Sequence, residues 1–419
     1  MPLHHRLELF TPEGQDSAWP VFPVRKPISP QSASGEAFAI AASYLSDCLH
    51  HHAACADVAD DSKTYPRRVI DISMTDSSRT RLIDYAAHMG HYASLTYCWG
   101  GDQPGQDDSL QDAVIVARVM EVQFLWIDSL CIIQDDPGDW ATESAKMSGL
   151  YRNALFTISA DVAQDVHAGF LRQHNLVEEA VSVCCIGPSG GSALLSVRDS
   201  SEFCMSGSKR ANTYYSSKFP LTRRAWTLQE RMLSARLLHF NGREMSWECK
   251  EASRCECQGP VVTEKLARAS NRTFGDVYSE WDLEKFNEVW HSVVEEYSER
   301  QLTFATHKLP AISGIARRAQ HLLRHLDLDD TYLAGLWKAT LPYDLAWRNP
   351  HSFAKRPATY IAPSWSWAAI EGSVSFWGGR PLLEILDAKC DLAPMVEPKC
   401  DNLTDSAGSD PTGKVVDGS

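Results

Sequence analysis

The chain alternates nearly continuous apolar runs with stretches whose apolar positions recur every three or four residues, most clearly between residues 90 and 160. ASLTY (93–97), QFLWID (123–128) and ALFTISA (154–160) read as buried strands. SLQDAVIVARVME (109–121) has helical spacing. A second helix starts at Asp136-Pro137, where Asp can cap and Pro suits the first turn, and runs to about Arg152. This β-α-β-α-β order predicts an α/β fold with a parallel sheet and right-handed crossovers. Ligands on such sheets sit beyond the carboxyl ends of the strands, here residues 97–100, 128–136 and 160–161.

The flanks are less regular. Residues 11–35, rich in Pro, Ser and Gly, read as an irregular arm; 36–50 carry helical spacing and RRVIDI (67–72) a strand signal. RLLHF and EMSWEC flank Asn241-Gly242, a hairpin turn signal. Residues 279–300 and 311–326 look helical, and 331–377 look like irregular structure with short strands around Trp337, Trp347, Trp365, Trp367 and Trp377. The expected divisions are an arm and helix (1–66), the α/β core with its hairpin (67–250), a helical and Trp-rich mixed extension (251–394) and a polar tail (395–419).

Composition narrows the function classes. The 419 residues leave room for two or three domains. A net charge of −14 opposes nonspecific nucleic-acid binding and adhesion to anionic membranes. No run of 18 apolar residues predicts a membrane span, and no signal peptide is visible at the start. Twelve cysteines then read as reduced thiols in a cytoplasmic protein. Thirteen Trp suit either a rigid core or an aromatic-lined cleft. GxGxxG, GxxxxGK[ST] and HExxH are absent, which removes the standard glycine-loop and zincin chemistries.

Several groups could carry chemistry. Trp140, Glu143, Met147 and Leu150 share one helix face, so the Glu143 carboxylate enters an apolar row, as a catalytic or ribose-binding group or as a structural carboxylate. The loop after Trp126 crowds Asp128, Ser129, Cys131, Gln134, Asp135 and Asp136 where a ligand would be met, or else serves as cap chemistry. In TYCWG, Cys98, Trp99 and Gly100 end a strand; Gly100 permits close backbone approach, and Trp99 could stack on a ring or pack beneath the loop. RRAWTLQER places Arg223, Arg224, Trp226, Gln229, Glu230 and Arg231 together, to hold a phosphate or an internal carboxylate such as Glu143 or Asp128. Two Cys/His groups stand apart: Cys48, His50, His51, His52 and Cys55; and Cys249, Cys255 and Cys257. Neither has paired CxxC knuckles, so buried thiols are the default and no metal ligand is assigned; a structural zinc on the first group is the alternative.

TYCWG, LWIDSLCIIQDD-x-x-DW-x-x-E-x-x-x-M-x-x-x-YRNALFTISA, RAWTLQERMLS-x-RLLHF and MSWEC resemble, in order, the fungal heterokaryon incompatibility (HET) domain. Cys48, His52, Cys55 and PRRVIDI resemble the segment before that domain. YLAGLW, APSWSWAAIEG and DPTGKV resemble the segment after it, so the resemblance covers about residues 43–415. It implies a role in non-self recognition and regulated cell death, and a core remotely similar to the flavodoxin-like TIR domain. Some TIR domains cleave NAD with a glutamate in a W-x-x-E-like pattern, which Asp139-Trp140-x-x-Glu143 resembles. NAD is then the implied substrate; no cofactor is assigned. Three readings are open: an NAD-cleaving effector, a non-catalytic module that associates with itself or another incompatibility protein, and a cofactor-free cyclase or isomerase of a natural-product pathway acting on a small molecule.

Overall fold

The computed structural model describes residues 7–15, 17, 19–26, 28–56, 64–73, 80–86, 90–100, 108–171, 180–187, 190–199, 219–258, 282–325, 331–351 and 355–376. The polar tail, Trp377 and the DPTGKV segment lie outside them. The chain forms two compact units, neither continuous in sequence. The first takes Met1–Cys131, Asn153–Leu221 and Ser234–Asn271; the second takes Ile132–Arg152, Thr222–Leu233 and Arg272–Ser419.

The first unit opens with strands β1 (Leu7–Pro12) and β2 (Val24–Arg25) and helices α1 (Gly35–His51) and α2 (Ala53–Ala56). Ser34 caps α1 by accepting from the Ala37 amide at 3.1 Å. Next come β3 (Arg68–Asp71), β4 (Arg81–Asp84), β5 (Tyr92–Thr96), α3 (Asp108–Val119), β6 (Phe124–Trp126) and the single turn α4 (Asp128–Cys131). The unit resumes with β7 (Thr157–Ser159), β8 (Val181–Ile186), β9 (Ser192–Asp199), β10 (Arg236–Phe240), β11 (Met245–Cys249) and β12 (Ser253–Cys255).

Eight of these strands form one sheet in the order β12-β11-β10-β7-β5-β6-β3-β4. Its centre, β10-β7-β5-β6, is parallel. Counted along the chain from β5, this is the order 2-1-3-4, as in flavodoxin-like sheets. Every residue of β5, β6, β7 and β10 is buried, as a parallel sheet covered on both faces requires. The expected strand RRVIDI is present as β3, but it runs antiparallel to β6 and pairs on its other side with β4, which the pattern did not announce. The hairpin falls where Asn241-Gly242 predicts it: Gly242 takes φ +81° and the Asn241 side chain accepts from the amides of Arg243 and Glu244.

Part of the arm is more regular than its composition suggests. β1, β2, β8 and β9 form a second sheet, β2-β1-β9-β8. Glu8 ties it together, held by Arg25 Nε at 2.8 Å and Arg198 Nη2 at 2.6 Å.

The second unit is helical. It contains α5 (Pro137–Asn153, all but its last residue), α6 (Trp226–Leu233), α7 (Leu283–Ser298), α8 (Pro310–His325) and the short α9 (Leu341–Asp344), with two-residue strands β13 (Tyr332–Leu333), β14 (Leu336–Trp337), β15 (Trp347–Arg348) and β16 (Ser375–Phe376). Trp290, Trp337 and Trp367 are fully buried in its core. The Gly335 carbonyl accepts from the indole N–H of both Trp290 and Trp367 at 3.0 Å, so these rings serve packing.

Three chain segments converge at Gly314 on α8. A Cβ there would lie 2.5 Å from Ser148 Cβ of α5 and 2.6 Å from Gln229 Oε1 of α6. That same Gln229 oxygen accepts from the Gly314 amide at 2.8 Å. Overpacking costs roughly 1–3 kcal/mol, and a lost buried hydrogen bond about 1–3 kcal/mol more. The helix propensity of Ala over Gly returns only about 1 kcal/mol. Gly314→Ala is therefore expected to destabilise the second unit by roughly 1–5 kcal/mol, read as a lowered urea midpoint; an unchanged midpoint would contradict this packing.

Candidate functional site

At the carboxyl end of β5 the chain passes through Tyr97, Cys98, Trp99 and Gly100. Tyr97 is buried, and its hydroxyl meets Ser129 Oγ at 2.6 Å. Trp99 is half-buried and donates from Nε1 to Asp128 Oδ1 at 3.2 Å. The same oxygen accepts from the Ser129 amide at 2.8 Å. Residues 128–131 form a helical turn instead of the expected open loop, closed by the Cys131 amide donating to the Ile127 carbonyl at 2.7 Å. Cys98 and Cys131 are buried, and the Cys131 carbonyl accepts from Arg68 Nε at 2.8 Å. The sheet edge thus brings Cys98, Trp99, Gly100, Asp128, Ser129 and Cys131 together. At Gly100, φ is +75° and a Cβ would lie 2.7 Å from Asp165 Cβ, so the loops after β5 and β7 touch at the point where strand order reverses.

The adjoining strands hold a charged group that pattern reading missed. His239, on β10, points Nδ1 at Asp161 Oδ2 (3.0 Å) and Nε2 at Glu248 Oε2 (3.3 Å). All three side chains are buried, and Ser159 Oγ donates to Asp161 Oδ1 at 2.6 Å. The signal available in sequence was a His and a Glu inside the otherwise apolar runs RLLHF and MSWEC. Burial works against the charged imidazole, but the two carboxylates outweigh it and push the His239 pKa up to about 9. With both ring nitrogens engaged, this imidazolium has no lone pair to offer as a base; it clamps β7, β10 and β11.

In the second unit, Asp136 Oδ1 accepts from the amides of Gly138 (2.8 Å) and Asp139 (3.1 Å), the expected cap of α5. Glu143, Met147 and Leu150 are buried along one face of that helix, with Trp140 half-buried. Glu143 Oε1 accepts from Lys146 Nζ at 2.8 Å; its side chain is 2% exposed and that of Lys146 37%. The Trp140 ring stacks on His307 at 4.8 Å and 21°, while Trp226 meets the same imidazole edge-on at 5.9 Å.

The Arg-rich segment is anchored through its backbone. The Arg224 carbonyl accepts from Thr227 Oγ1 at 2.8 Å and Arg300 Nη1 at 3.3 Å. Glu230 is buried and Arg231 half-buried. Burial holds the Arg300 pKa below its usual value, although Glu296 pairs with it at 2.6 Å. Gln134 and Asp135 are exposed, and Gln134 Nε2 donates to the Ile132 carbonyl at 2.9 Å. The second unit therefore holds Gln134, Asp135, Glu143, Arg224, Trp226, Glu230 and Arg231, and the first unit the other six candidates.

A flavodoxin-type α/β sheet bearing these segments narrows the class of protein. Residues 92–230, about a third of the chain, match the family model described as Heterokaryon incompatibility protein (HET). Comparison with curated proteins and with solved structures found no match. Among the described residues, no helix is long and apolar enough to cross a membrane.

The His239 clamp makes stability depend on pH. Its folded pKa is raised above the unfolded value, so its contribution is complete below the unfolded pKa of about 6.5 and is lost as pH rises through about 9. In urea unfolding of the full chain, the His239 contribution, read as wild type minus His239→Gln, is expected to fall by a few kcal/mol between about pH 6.5 and 9. His239→Gln should be less stable than wild type at pH 6.5, with the difference shrinking towards pH 9; a variant with the wild-type slope would exclude this contribution of His239.

Proposed function

We propose that the chain is an incompatibility effector of the HET type, acting in non-self recognition and regulated cell death through cleavage of NAD. The observation that carries this reading is Glu143: a carboxylate 2% exposed, on the D-W-x-x-E helix, one turn from the Trp140–His307–Trp226 aromatic group. The match across residues 92–230 supports the biological class.

In the proposed reaction the bond between ribose C1 and the nicotinamide nitrogen breaks, and its electron pair returns to the pyridinium ring. The ribosyl cation left behind is stabilised by the Glu143 carboxylate. Water then adds to C1 and releases a proton. A buried carboxylate is effective here because water no longer screens the developing charge. The aromatic rings offer flat faces for the leaving nicotinamide.

A second reading has its own support. The Lys146 ammonium already neutralises Glu143 at 2.8 Å, as a purely structural pair would. The protein is then a non-catalytic module working by association.

Incubation of purified full chain with NAD, followed by chromatography of released nicotinamide, separates the two. Release by the wild type and a loss of at least about 100-fold in Glu143→Gln, with unfolding midpoint retained, is expected for an electrostatic contribution of this kind. No release at high protein concentration favours the non-catalytic module, and equal release by the variant would remove Glu143 from the reaction.

A further inference from the structure

The first unit contains a cluster that neither the parallel sheet nor the proposed chemistry uses. Cys48 lies in the last turn of α1, His52 directly after it, Cys55 in α2, and Cys249 at the end of β11. Their four ligand atoms, three sulfurs and one imidazole nitrogen, all lie within 4.8 Å of one another. His52 Nδ1 is 3.2 Å from Cys249 Sγ, a residue 197 positions away in sequence. Cys48, Cys55 and Cys249 are fully buried, and all are free thiols.

We propose that Cys48, His52, Cys55 and Cys249 bind one structural zinc ion as a closed Cys3His site. Zinc–sulfur bonds of about 2.3 Å in a tetrahedron set sulfur–sulfur edges of about 3.8 Å, so the cluster closes on the ion with small side-chain adjustments. Packing of neutral thiols does not require the surroundings these sulfurs have. The Ala252 amide donates to Cys249 Sγ at 3.2 Å, across a turn closed by the Cys249 amide on the Ala252 carbonyl at 2.8 Å. Arg236 Nε donates to Cys48 Sγ at 3.2 Å, and the Lys250 amide donates to Cys55. Donors aimed at sulfur favour thiolates, the form that holds a metal.

The histidine is oriented as a ligand. α1 ends at His51, and His52 leaves the helical conformation (φ −97°, ψ 96°), which turns its ring away from those of its neighbours. His50 Nδ1 faces the Ser46 carbonyl and His51 Nδ1 faces Asp47, both on the exposed side. His52 presents Nδ1 to the sulfurs and Nε2 to Asp47 Oδ2 at 3.7 Å. A carboxylate behind a ligating imidazole is the usual outer-shell partner of a zinc-bound histidine. Arg254 holds that carboxylate at 2.5 Å. Glu251 fixes the remaining piece by accepting from the Ala54 amide at 2.6 Å, between His52 and Cys55. Three thiolates, a neutral imidazole and Zn2+ sum to −1, and Arg236 lies against this charge.

With all four positions taken by protein, the ion would be structural. It would staple the α1–α2 turn to the outer end of the hairpin, across a chain separation that local pairing does not bridge. A second group, Glu244, Cys255 and Cys257, also draws its ligand atoms within 4.8 Å, but it offers three donors and its two sulfurs already touch at 2.8 Å. It serves as the internal control.

The test is metal analysis of full-length protein freed of any affinity tag, grown with zinc. About one zinc per chain is expected, released stoichiometrically by a mercurial that caps thiols. Cys55→Ser and Cys249→Ser should lose it, while His51→Ala and Cys257→Ser keep it. Should the ligand variants fail to fold, cobalt exchange into the wild type still decides: a tetrahedral thiolate site gives strong visible bands and a sulfur-to-cobalt charge-transfer band. Folded protein that neither carries zinc nor takes up zinc or cobalt after reduction would overturn the proposal. So would octahedral cobalt spectra, or zinc that survives Cys249→Ser and leaves with Cys257→Ser.

Discussion

The second unit depends on a point where a methyl group will not fit. The chain reaches this unit in three separate stretches, and nothing covalent holds the first two, residues 132–152 and 222–233, beside the third. Gly314 does so by being small. Ser148 from one stretch and Gln229 from another approach within the radius of a Cβ, and the Gln229 oxygen takes the Gly314 amide. Arg317, one turn further along α8, adds bonds to the Ala145 carbonyl at 3.0 Å and Ser148 Oγ at 3.3 Å. Glu143 lies on the helix so pinned. Its position therefore rests on a distant segment of sequence, close to residue 314, and not on the W-x-x-E spacing alone.

The first unit solves a related problem with charge. A parallel sheet whose central strands are buried on both faces is held laterally by backbone ladders and by whatever polar groups can be satisfied inside. Here the buried polar groups work in concert. Ser94 and Ser234 hydroxyls meet Thr157 at 2.8 and 2.7 Å, and the His239 clamp joins Asp161 to Glu248. Removing one partner from such a set leaves the others buried and unsatisfied, which costs more than the bond itself contributes. At its outer end the sheet is met by α1, whose Cys48 and the following His52 and Cys55 converge on Cys249. The buried Arg236 reaches Cys48 Sγ, the Cys55 carbonyl (2.9 Å) and the Leu155 carbonyl (3.2 Å), so one side chain serves the cluster and the sheet together.

The elements legible in sequence are those in which local pattern and tertiary demand agree. The strands of the parallel centre are short apolar runs because both faces are covered, and the cap at Asp136-Pro137 is local chemistry. β4 and the β1–β9–β8 pairing were not legible. Their exposed edges tolerate polar residues, and Glu8 matters only when Arg25 and Arg198 arrive from far along the chain. The same limit applies to sites. Cys48, His52 and Cys55 are close in sequence and could be grouped by eye, whereas Cys249 is selected by the fold. His239 stood beside Leu237, Leu238 and Phe240 in a short strand, where a polar residue is easily taken for tolerated variation.

Glu143 and Lys146 show how little geometry separates a structural pair from a working one. The Glu143 side chain is 2% exposed and that of Lys146 37%. The two partners are thus unequally solvated. Desolvation falls chiefly on the glutamate, while the lysine keeps much of its hydration and a long flexible stem. In a fully buried pair both charges are committed, and breaking the contact strands each of them. Here only the carboxylate would be stranded, and a cation brought by a ligand could replace the ammonium with little penalty to the lysine. In the proposed NAD cleavage, a ribosyl cation forming beside Oε1 would be such a replacement. A half-buried, displaceable counter-ion pairs with a buried carboxylate without committing it to fixed bonds, which a buried guanidinium with several such bonds would do.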